Sequence, residues 1–315
     1  MAVKDPTFLF CIGAQKAGTT WLYNYFKSHP EVHVPIIKEM HYFNVLWDKN
    51  QAEFGEMRRR SMESMPRVSE GEAARVVHQP GDPDSYEVLR DLVNMHDSDE
   101  PGHAAYRRFM MKGAGDARCV ADITPDYSVL GGRYYRQMFD DFDSPKFLYL
   151  MRDPVQRTWS HLKMQVGWMS SRGHPDITID ELLNMLLMGR QNHILARSSY
   201  SGTLFALSKV PKHAVKYMFY ENLFTDEGVS DLCDFLDVGF HAGDYGRRIR
   251  SGSDKGMTDQ QRDILRWLTA PVYRRVYNKF GEMLPASWDV AAMDAKRPNF
   301  LDDFKIHESV LKKAG

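Results

Sequence analysis

Residues 8–22 read FLFCIGAQKAGTTWL, an apolar run that passes through a glycine-rich turn into the beginning of an amphipathic helix. The five apolar residues from Phe8 to Ile12 are typical of a strand buried in a sheet. Gly13 and Gly18 stand five positions apart, and glycine lets a backbone turn with its N–H groups pointing inward. The N-terminus of the following helix adds partial positive charge. The stretch therefore predicts a strand, a phosphate-binding loop and a helix.

The position of the lysine distinguishes this loop from the common nucleotide-triphosphatase loop. That pattern, GxxxxGK[ST], requires lysine directly after the second glycine, where this chain has Thr19. Its lysine, Lys16, stands inside the loop instead. An ordinary strand-to-helix turn with a solvated lysine is the alternative interpretation, but a lysine, a glycine and two threonines together exceed what a turn requires. We therefore predict an anion site in which Lys16 takes part.

The rest of the chain alternates between apolar runs and helical periodicity, which predicts the fold class. Three further apolar runs occur at Cys119 to Ile123, Phe147 to Met151 and Val215 to Tyr220. We predict an α/β fold with an open, mainly parallel, P-loop-like sheet flanked by helices. Residues from about 48 to 118 form an irregular insertion, about 285–315 form a polar C-terminal tail, and 1–315 form a single domain. Residues 258–280 are expected to form one or two amphipathic helices.

The composition narrows the class of protein. Lys and Arg (41) nearly balance Asp and Glu (42) in 315 residues, so no overall field favours nucleic acid or an anionic membrane. The three cysteines form no CxxC pair and no even set, which is typical of reduced thiols in a cytosolic enzyme. No apolar run suits a secretory segment or a membrane span. We predict a cytoplasmic enzyme with no nucleic-acid partner and no membrane insertion.

A second anion site is predicted at the end of the apolar run from Phe147 to Met151. Arg152-Asp153-Pro154 follows that run, and ligands of open α/β sheets bind at the carboxyl ends of the strands. A guanidinium there can bind a phosphate through two hydrogen bonds. Pro154 suits the first turn of a helix on which Ser160 lies about two turns along. A structural ion pair is the alternative for Arg152, and Arg157 is predicted to be a structural or surface residue.

Both sites resemble motifs of one enzyme family. Gln15-Lys16-Ala17-Gly18-Thr19-Thr20-Trp21 is similar to the 5′-phosphosulfate loop of the sulfotransferases that use 3′-phosphoadenosine 5′-phosphosulfate (PAPS). The resemblance implies that Lys16 contacts the oxygen between phosphate and sulfate and that the residues after it hold the 5′-phosphate. It also implies that Trp21 stacks on adenine, although Trp21 equally fits a core position of the helix. The pattern RxPxxRxxS resembles the family's 3′-phosphate motif, which implies that Arg152 and Ser160 bind the 3′-phosphate.

Two shorter matches extend the resemblance toward the C-terminus. Arg197-Ser-Ser-Tyr200 resembles a donor-contacting Arg-x-x-Tyr element, which implies a donor contact from Tyr200. The basic stretch from Arg247 to Lys255 and Gly256 resembles a loop that closes over the 3′-phosphate. A solvated charge run is an equally good interpretation of that stretch.

The acceptor side is predicted at Lys38-Glu39-Met40-His41-Tyr42-Phe43. An alcohol is a poor nucleophile until its proton is accepted, so sulfuryl transfer needs a general base. The stretch resembles the acidic motif of heparan-type and related sulfotransferases, which implies that Glu39 is the base. Lys38 or His41 is the alternative base or helper. Several carbohydrate-type relatives carry a catalytic lysine where this chain has Ile123, which implies that Lys16 and other donors stabilise the transition state here.

These observations predict one function and leave two alternatives. We expect a sulfotransferase that moves a sulfuryl group from PAPS to a hydroxyl or amine of a small-molecule or carbohydrate acceptor and releases PAP, the 3′,5′-bisphosphate. None of the twelve histidines falls in HExxH or another compact metal spacing, so we expect no metal. A metal-dependent P-loop phosphotransferase and a non-catalytic nucleotide-binding protein are the alternatives. Neither the acceptor nor the oligomeric state is specified by the sequence.

Overall fold

A central sheet of five parallel strands organises the chain. The computed structural model describes residues 5–47, 53–63, 86–246, 256–302 and 304–314. In these ranges the strands are β1 (Thr7–Gly13), β2 (Val32–His33), β3 (Cys119–Ile123), β4 (Lys146–Met151) and β5 (Val215–Phe219), in the spatial order β2-β3-β1-β4-β5. All four predicted strands are present, and the open parallel sheet is confirmed. The short β2 was not predicted, because a strand of two residues has no alternation to recognise.

Helices connect the strands and flank the sheet, as the fold class predicts. Within the described ranges they are α1 (Thr19–Ser28), α2 (Tyr42–Trp47), α3 (Glu53–Glu63), α4 (Tyr86–Asp97), α5 (Ala104–Met111), α6 (Gly132–Asp141), α7 (Pro154–Ser170), α8 (Ile179–Leu187), α9 (Asn192–Ala196), α10 (Tyr200–Leu207), α11 (Asp226–Leu236), α12 (Asp259–Phe280) and α13 (Glu308–Ala314). The segment predicted as one or two helices is the single helix α12, which runs through Pro271. Across the part of the chain that the structure describes, no helix is both long and apolar enough to cross a bilayer.

The core covers both faces of the sheet. Every residue of β3, and all but the first residue of β1 and of β4, is buried, as expected for parallel strands covered by crossover helices. Phe10 of β1 packs edge-on against Phe43 and Phe142, with ring centroids 5.7 and 5.1 Å apart. Such aromatic pairs contribute about 0.5–1.5 kcal/mol each beyond the area they bury. They help to fix β1, the strand that precedes the predicted phosphate loop.

The described residues of the predicted insertion include three helices, α3, α4 and α5. Two histidines attach it to the rest of the chain. His96 of α4 has its Nε2 3.0 Å from the carbonyl oxygen of Met40, and His103 has its Nδ1 3.1 Å from the hydroxyl of Tyr42. The insertion therefore packs against the segment predicted to serve the acceptor.

The C-terminal tail, predicted to be polar, is anchored to the core. Trp288, Leu301 and Val310 are buried, and the last of these lies on α13. The backbone N–H of Asp289 donates to Oδ2 of Asp153, directly after β4, at 3.0 Å. A few isolated apolar side chains are enough to dock this segment, and they leave no periodic pattern from which the docking could be predicted.

The carboxyl ends of β1, β3 and β4 meet at one edge of the sheet. Cys11 pairs with Ile123, and Gly13 pairs with Tyr149. The N–H of Thr124 donates to the carbonyl of Cys11 at 3.1 Å. Because β1 lies between β3 and β4, the residues that follow these three strands are neighbours. Open α/β sheets bind their ligands at this edge.

Candidate active site

The loop from Gly13 to Thr20 joins β1 to α1 and forms the first predicted anion site. Gly18 stands at the N-cap of α1 with φ 92°, a conformation that favours glycine. A Cβ at this position would lie 2.7 Å from Cδ1 of Leu223, so a side chain does not fit without a shift. Among the described residues no side chain caps α1. The N–H groups of its first turn can therefore bind an anion at the positive end of the helix dipole.

The middle of the loop is held by its own backbone. The N–H of Ala17 donates to the carbonyl of Ala14 at 3.1 Å, and Thr19 is buried in the first turn of α1. Lys16 has φ 70°, in the left-handed region that a non-glycine residue occupies at a cost. Gln15 buries its Oε1 without a hydrogen-bond partner among the described residues. Residues 15–18 thus form a turn that leads into α1 at Thr19.

A buried arginine holds the loop through a hydrogen bond to its backbone. Arg157 of α7 is fully buried, and it donates from Nε to the carbonyl of Gln15 and from Nη1 to that of Ile194, both at 3.0 Å. Its Nη2 lies 2.6 Å from Nδ1 of His161. Burial lowers the pKa of Arg157 to about 10, so the group is cationic at neutral pH. Burial, followed by the charge of Arg157, lowers the pKa of His161, whose neutral ring accepts this hydrogen bond. The structural interpretation of Arg157 is therefore confirmed.

The second predicted anion site begins directly after β4. The guanidinium of Arg152 lies over the ring of Tyr220, 4.5 Å from its centroid, and Nη1 donates to the carbonyl of Lys16 at 3.3 Å. Ser160 lies half-buried two turns along α7. Tyr200 is fully buried, and its hydroxyl donates to the carbonyl of Arg152 at 2.6 Å and accepts from its N–H at 3.2 Å. In this structure Tyr200 holds the backbone of Arg152, and its predicted donor contact stays a prediction.

The acidic residue after Arg152 has a structural role. Oδ1 of Asp153 accepts from the N–H of Gln156 at 2.9 Å and thereby caps α7. Its Oδ2 accepts from the hydroxyl of Tyr273 at 2.5 Å, besides the contact with the tail described above. The carboxylate is buried by these contacts. It therefore joins α7, α12 and the C-terminal tail behind the strand end.

The segment with the candidate bases lies against the same edge of the sheet. The N–H of Glu39 donates to the carbonyl of Ile123, the last residue of β3, at 3.2 Å. Nζ of Lys38 lies 2.8 Å from Oε1 of Glu39 and 3.0 Å from Oγ1 of Thr20. Lys38 thus bridges the predicted base and the phosphate loop. The chain from Lys38 to His41 and the loop around Lys16 therefore belong to one site.

The two candidate bases differ in exposure and in surroundings. The side chain of Glu39 is 37% exposed, whereas that of His41 is 8% exposed. Nδ1 of His41 lies 3.9 Å from Oδ2 of Asp126, which in turn binds Arg197. Neither Asp126 nor the side chain of Arg197 was predicted as a site residue, although Arg197 begins the Arg-x-x-Tyr element. The two residues have opposite charges, but a sequence does not show that two distant charges meet.

Trp21 lies in an aromatic cluster on α1. Its ring stacks parallel to that of Tyr25 with centroids 5.4 Å apart, and it lies 6.0 Å from that of Tyr245. Its Nε1 donates to the carbonyl of Asp244 at 2.9 Å, and 6% of the residue is exposed. This burial favours the core interpretation of Trp21, and stacking on adenine stays a prediction.

The structure describes only part of the basic stretch from Arg247 to Gly256. Lys255 and the arginines at 247, 248 and 250 lie outside the described residues, and Gly256 begins the next described range at an exposed position. Their predicted role over the 3′-phosphate is therefore untested by the geometry. Nowhere in the described ranges do three or more His, Cys, Asp or Glu side chains gather as a metal-ligand group.

Comparisons with known proteins agree with this architecture. A sulfotransferase from Alicyclobacillus acidocaldarius has the same fold, with a TM-score of 0.57 at 22% identity over 88% of this chain and 96% of that one. The chain also matches a sulfotransferase domain of the curacin biosynthetic pathway, with a TM-score of 0.44 at 16% identity over 75% of each chain. It matches the sulfotransferase domain of the Synechococcus PCC 7002 olefin synthase with a TM-score of 0.42 at 16% identity, over 100% of this chain and 89% of that one. No curated protein matches. A family model described as the sulfotransferase family matches residues 6–242, and the chain belongs to that family.

Proposed function

We propose that the chain transfers a sulfuryl group from PAPS to a hydroxyl or amine of a small-molecule or carbohydrate acceptor, releasing PAP and a sulfated product. One observation carries the proposal: Nη1 of Arg152 lies 3.3 Å from the carbonyl oxygen of Lys16. This contact joins the two predicted anion motifs at the carboxyl edge of the sheet. A donor with anionic groups at both its 5′ and 3′ positions matches such a pair of sites.

The residues present fit the donor at both ends. The first turn of α1, which no described side chain caps, supplies N–H donors for a 5′-phosphate, and the hydroxyls of Thr19 and Thr20 lie at the same turn. Arg152 and Ser160 supply a guanidinium and a hydroxyl for a 3′-phosphate. PAPS would bring the activated sulfuryl group. Lys16 then stabilises the negative charge that develops on the oxygen between phosphate and sulfur, a task of the transition state rather than of binding.

The acceptor is proposed to lie beside the segment with Glu39 and His41. Glu39 is the proposed base because its carboxylate is the more exposed of the two and is oriented by Lys38 at 2.8 Å. His41 is the alternative, because its ring can also accept a proton. Lys38 contacts both Glu39 and Thr20, so binding of an anionic donor at Thr20 and orientation of the base are coupled through one ammonium group.

The wider setting of the enzyme is also proposed. The three cysteines are free and buried, which is typical of a protein that acts in the cytoplasm. The proposal includes no metal, no nucleic-acid partner and no membrane insertion.

The decisive experiment supplies PAPS carrying labelled sulfate and a panel of phenols, alkyl alcohols, amines and sugars. We expect label in at least one acceptor, with PAP formed in equal amount. The matched control is the double variant Lys16→Ala with Arg152→Ala, which should transfer none. PAP binding without transfer to any acceptor would favour a non-catalytic nucleotide-binding protein. Transfer of the γ-phosphate of ATP in the presence of Mg²⁺ would favour a phosphotransferase.

A further inference from the structure

A series of polar contacts joins the predicted base segment to the turn after β3 and to the end of α9. Nδ2 of Asn44 donates to the backbone carbonyl of Asp126 at 3.1 Å. Nδ1 of His41 lies 3.3 Å from Oδ1 of Asn44 and 3.9 Å from Oδ2 of Asp126. Arg197 binds the same carboxylate twice, from Nε at 2.6 Å and from Nη2 at 3.0 Å. His41, Asn44 and Asp126 are buried.

These partners decide which nitrogen of His41 carries the proton. A backbone carbonyl only accepts hydrogen bonds, so the group of Asn44 that faces it is the amide NH2, and the group that faces His41 is the amide oxygen. That oxygen also only accepts, and so does the ionised carboxylate of Asp126 beside it. Nδ1 of His41 must therefore be the donor. In the neutral ring this leaves the lone pair on Nε2.

The charge of Asp126 acts on the same ring. Burial alone raises the pKa of Asp126, but the hydrogen bonds and charge of Arg197, together with the charges of His41 and His193, outweigh it and lower the pKa. Asp126 is therefore an anion at neutral pH. Linkage is reciprocal: because a cationic His41 favours ionised Asp126, ionised Asp126 favours a cationic His41. The positive charge of Arg197 acts on His41 in the opposite direction.

Other charged groups around this cluster are unchanged by the variants used below. Lys38 and Glu39, whose side chains pair, stand on the same segment as His41. His96 of α4 contacts the backbone carbonyl of Met40, the residue before His41. From α9 comes His193, which interacts with both Asp126 and Arg197, and from α3 comes Glu53, which interacts with Arg197. Each contributes equally to the wild-type chain and to variants of Asp126 and Arg197.

We propose that Asp126 and Arg197 are positioning residues of the active site, which act through Asn44 and through their opposite charges to keep the proton of His41 on Nδ1 and to set the pH range in which Nε2 accepts a proton. The catalytic meaning of this arrangement rests on the proposed function, because only a reaction that removes a proton from an acceptor uses it. Asp126 and Arg197 have the same proposed role whether His41 takes that proton itself or assists Glu39.

The test reads the ring of His41 directly. The full chain, labelled with ¹⁵N-histidine, gives long-range ¹H–¹⁵N spectra that separate protonated from unprotonated ring nitrogens, and His41→Gln identifies the signals. We expect the Nδ1–H form in the wild-type chain. An opposite charge within about 4–6 Å shifts a pKa by roughly 1–3 units. Asp126→Asn should therefore lower the pKa of His41 by about one unit or more, and Arg197→Gln should raise it by about one unit.

Two further variants serve as controls. Arg197→Lys keeps the charge and should leave the pKa of His41 close to the wild-type value. Asp141→Asn removes a carboxylate that lies 3.0 Å from Nε2 of His103, the same change at a different His–Asp contact, and should leave the His41 signals in place.

A wild-type ring protonated on Nε2 would overturn the proposal, and so would shifts of the same sign, or none, in Asp126→Asn and Arg197→Gln. If Asp126→Asn does not fold, the wild-type ring and the Arg197→Gln shift still decide. The measurement needs neither PAPS nor an acceptor. It can therefore fail while sulfuryl transfer is intact, and it can succeed in a chain that turns out to transfer another group.

Discussion

Replacing Arg152 by alanine tests whether the two anion sites hold two ends of one donor. The change removes a guanidinium that lies over the ring of Tyr220 and donates to the carbonyl of Lys16. The backbone of residue 152 stays attached to the hydroxyl of Tyr200 through two hydrogen bonds. We therefore expect the end of β4 to keep its position and the loss to fall on ligand binding.

The size of the loss follows from the chemistry of the contact. A hydrogen bond between charged groups contributes about 1.5–3 kcal/mol, and about 1.4 kcal/mol is a factor of ten in affinity. Loss of one such bond to a 3′-phosphate predicts a fall of roughly 10- to 150-fold in the affinity for PAP. AMP and ADP lack the 3′-phosphate, so their affinities should change only through the lost contact between Arg152 and Lys16.

Calorimetric titration of wild-type and Arg152→Ala chains with PAP, AMP and ADP measures this difference. Arg172→Ala is the matched control, because Arg172 lies over the ring of Trp168 at 4.1 Å and its loss should change no affinity. An equal loss for PAP and AMP would move the role of Arg152 to support of the Lys16 loop. No loss for PAP would refute the assignment of the 3′-phosphate to Arg152.

Three further predictions concern the chemical step and the pH dependence of stability. Lys16→Ala should retain PAP affinity but lower the single-turnover rate about 10²- to 10³-fold, because a donor aimed at developing charge acts in the transition state; a normal rate would contradict this. Glu39→Gln and His41→Ala are compared at saturating PAPS, and the variant that lacks the base should lose about 10²–10⁴ in turnover. The loss should be smaller with acidic phenols than with alkyl alcohols, because an acidic hydroxyl needs less help from a base. A variant that does not show this pattern has not lost the base. Asp126 has a pKa that burial raises but that Arg197 and its neighbours lower overall. Its contribution to stability is therefore present above the ordinary aspartate value of about 4 and lost as the pH falls through the folded value. Urea midpoints from about pH 6 to pH 2 should fall less in Asp126→Asn than in the wild-type chain, and parallel curves would disprove the assignment.

The sheet could be predicted because parallel strands buried on both faces appear as unbroken apolar runs. Cys119 to Ile123 is the whole of β3, and Phe8 to Ile12 lies within β1. The docking of the tail could not be predicted in this way. Trp288 is buried because its ring packs 5.4 Å from that of Phe219, a contact between distant segments. Such packing depends on tertiary structure and leaves no local period.

The site could be predicted in its parts but not in its connections. Lys16 and Arg152 each stand in a local pattern, yet their contact joins residues 136 positions apart. Asp126 and Arg197 are 71 positions apart, and no local pattern predicts that they pair. Each alone would be interpreted as a surface charge, since buried charges are rare without partners. The two side chains meet only because the fold brings the turn after β3 next to the end of α9.

Backbone conformation is a second, independent observation that favours the proposed location of the site. Seven non-glycine residues of the described ranges have positive φ, and three of them are Lys16, Glu39 and His41. Each such conformation costs on the order of 1–3 kcal/mol and persists only where other contacts hold it. Arg152 holds the carbonyl of Lys16, and Ile123 holds the N–H of Glu39. Part of the folding free energy therefore keeps the backbone of these residues in place before any ligand binds, and under the proposed function this reduces the ordering that binding and catalysis must otherwise supply. Glycine would relieve the strain at these positions but would remove the side chains that the proposed reaction uses.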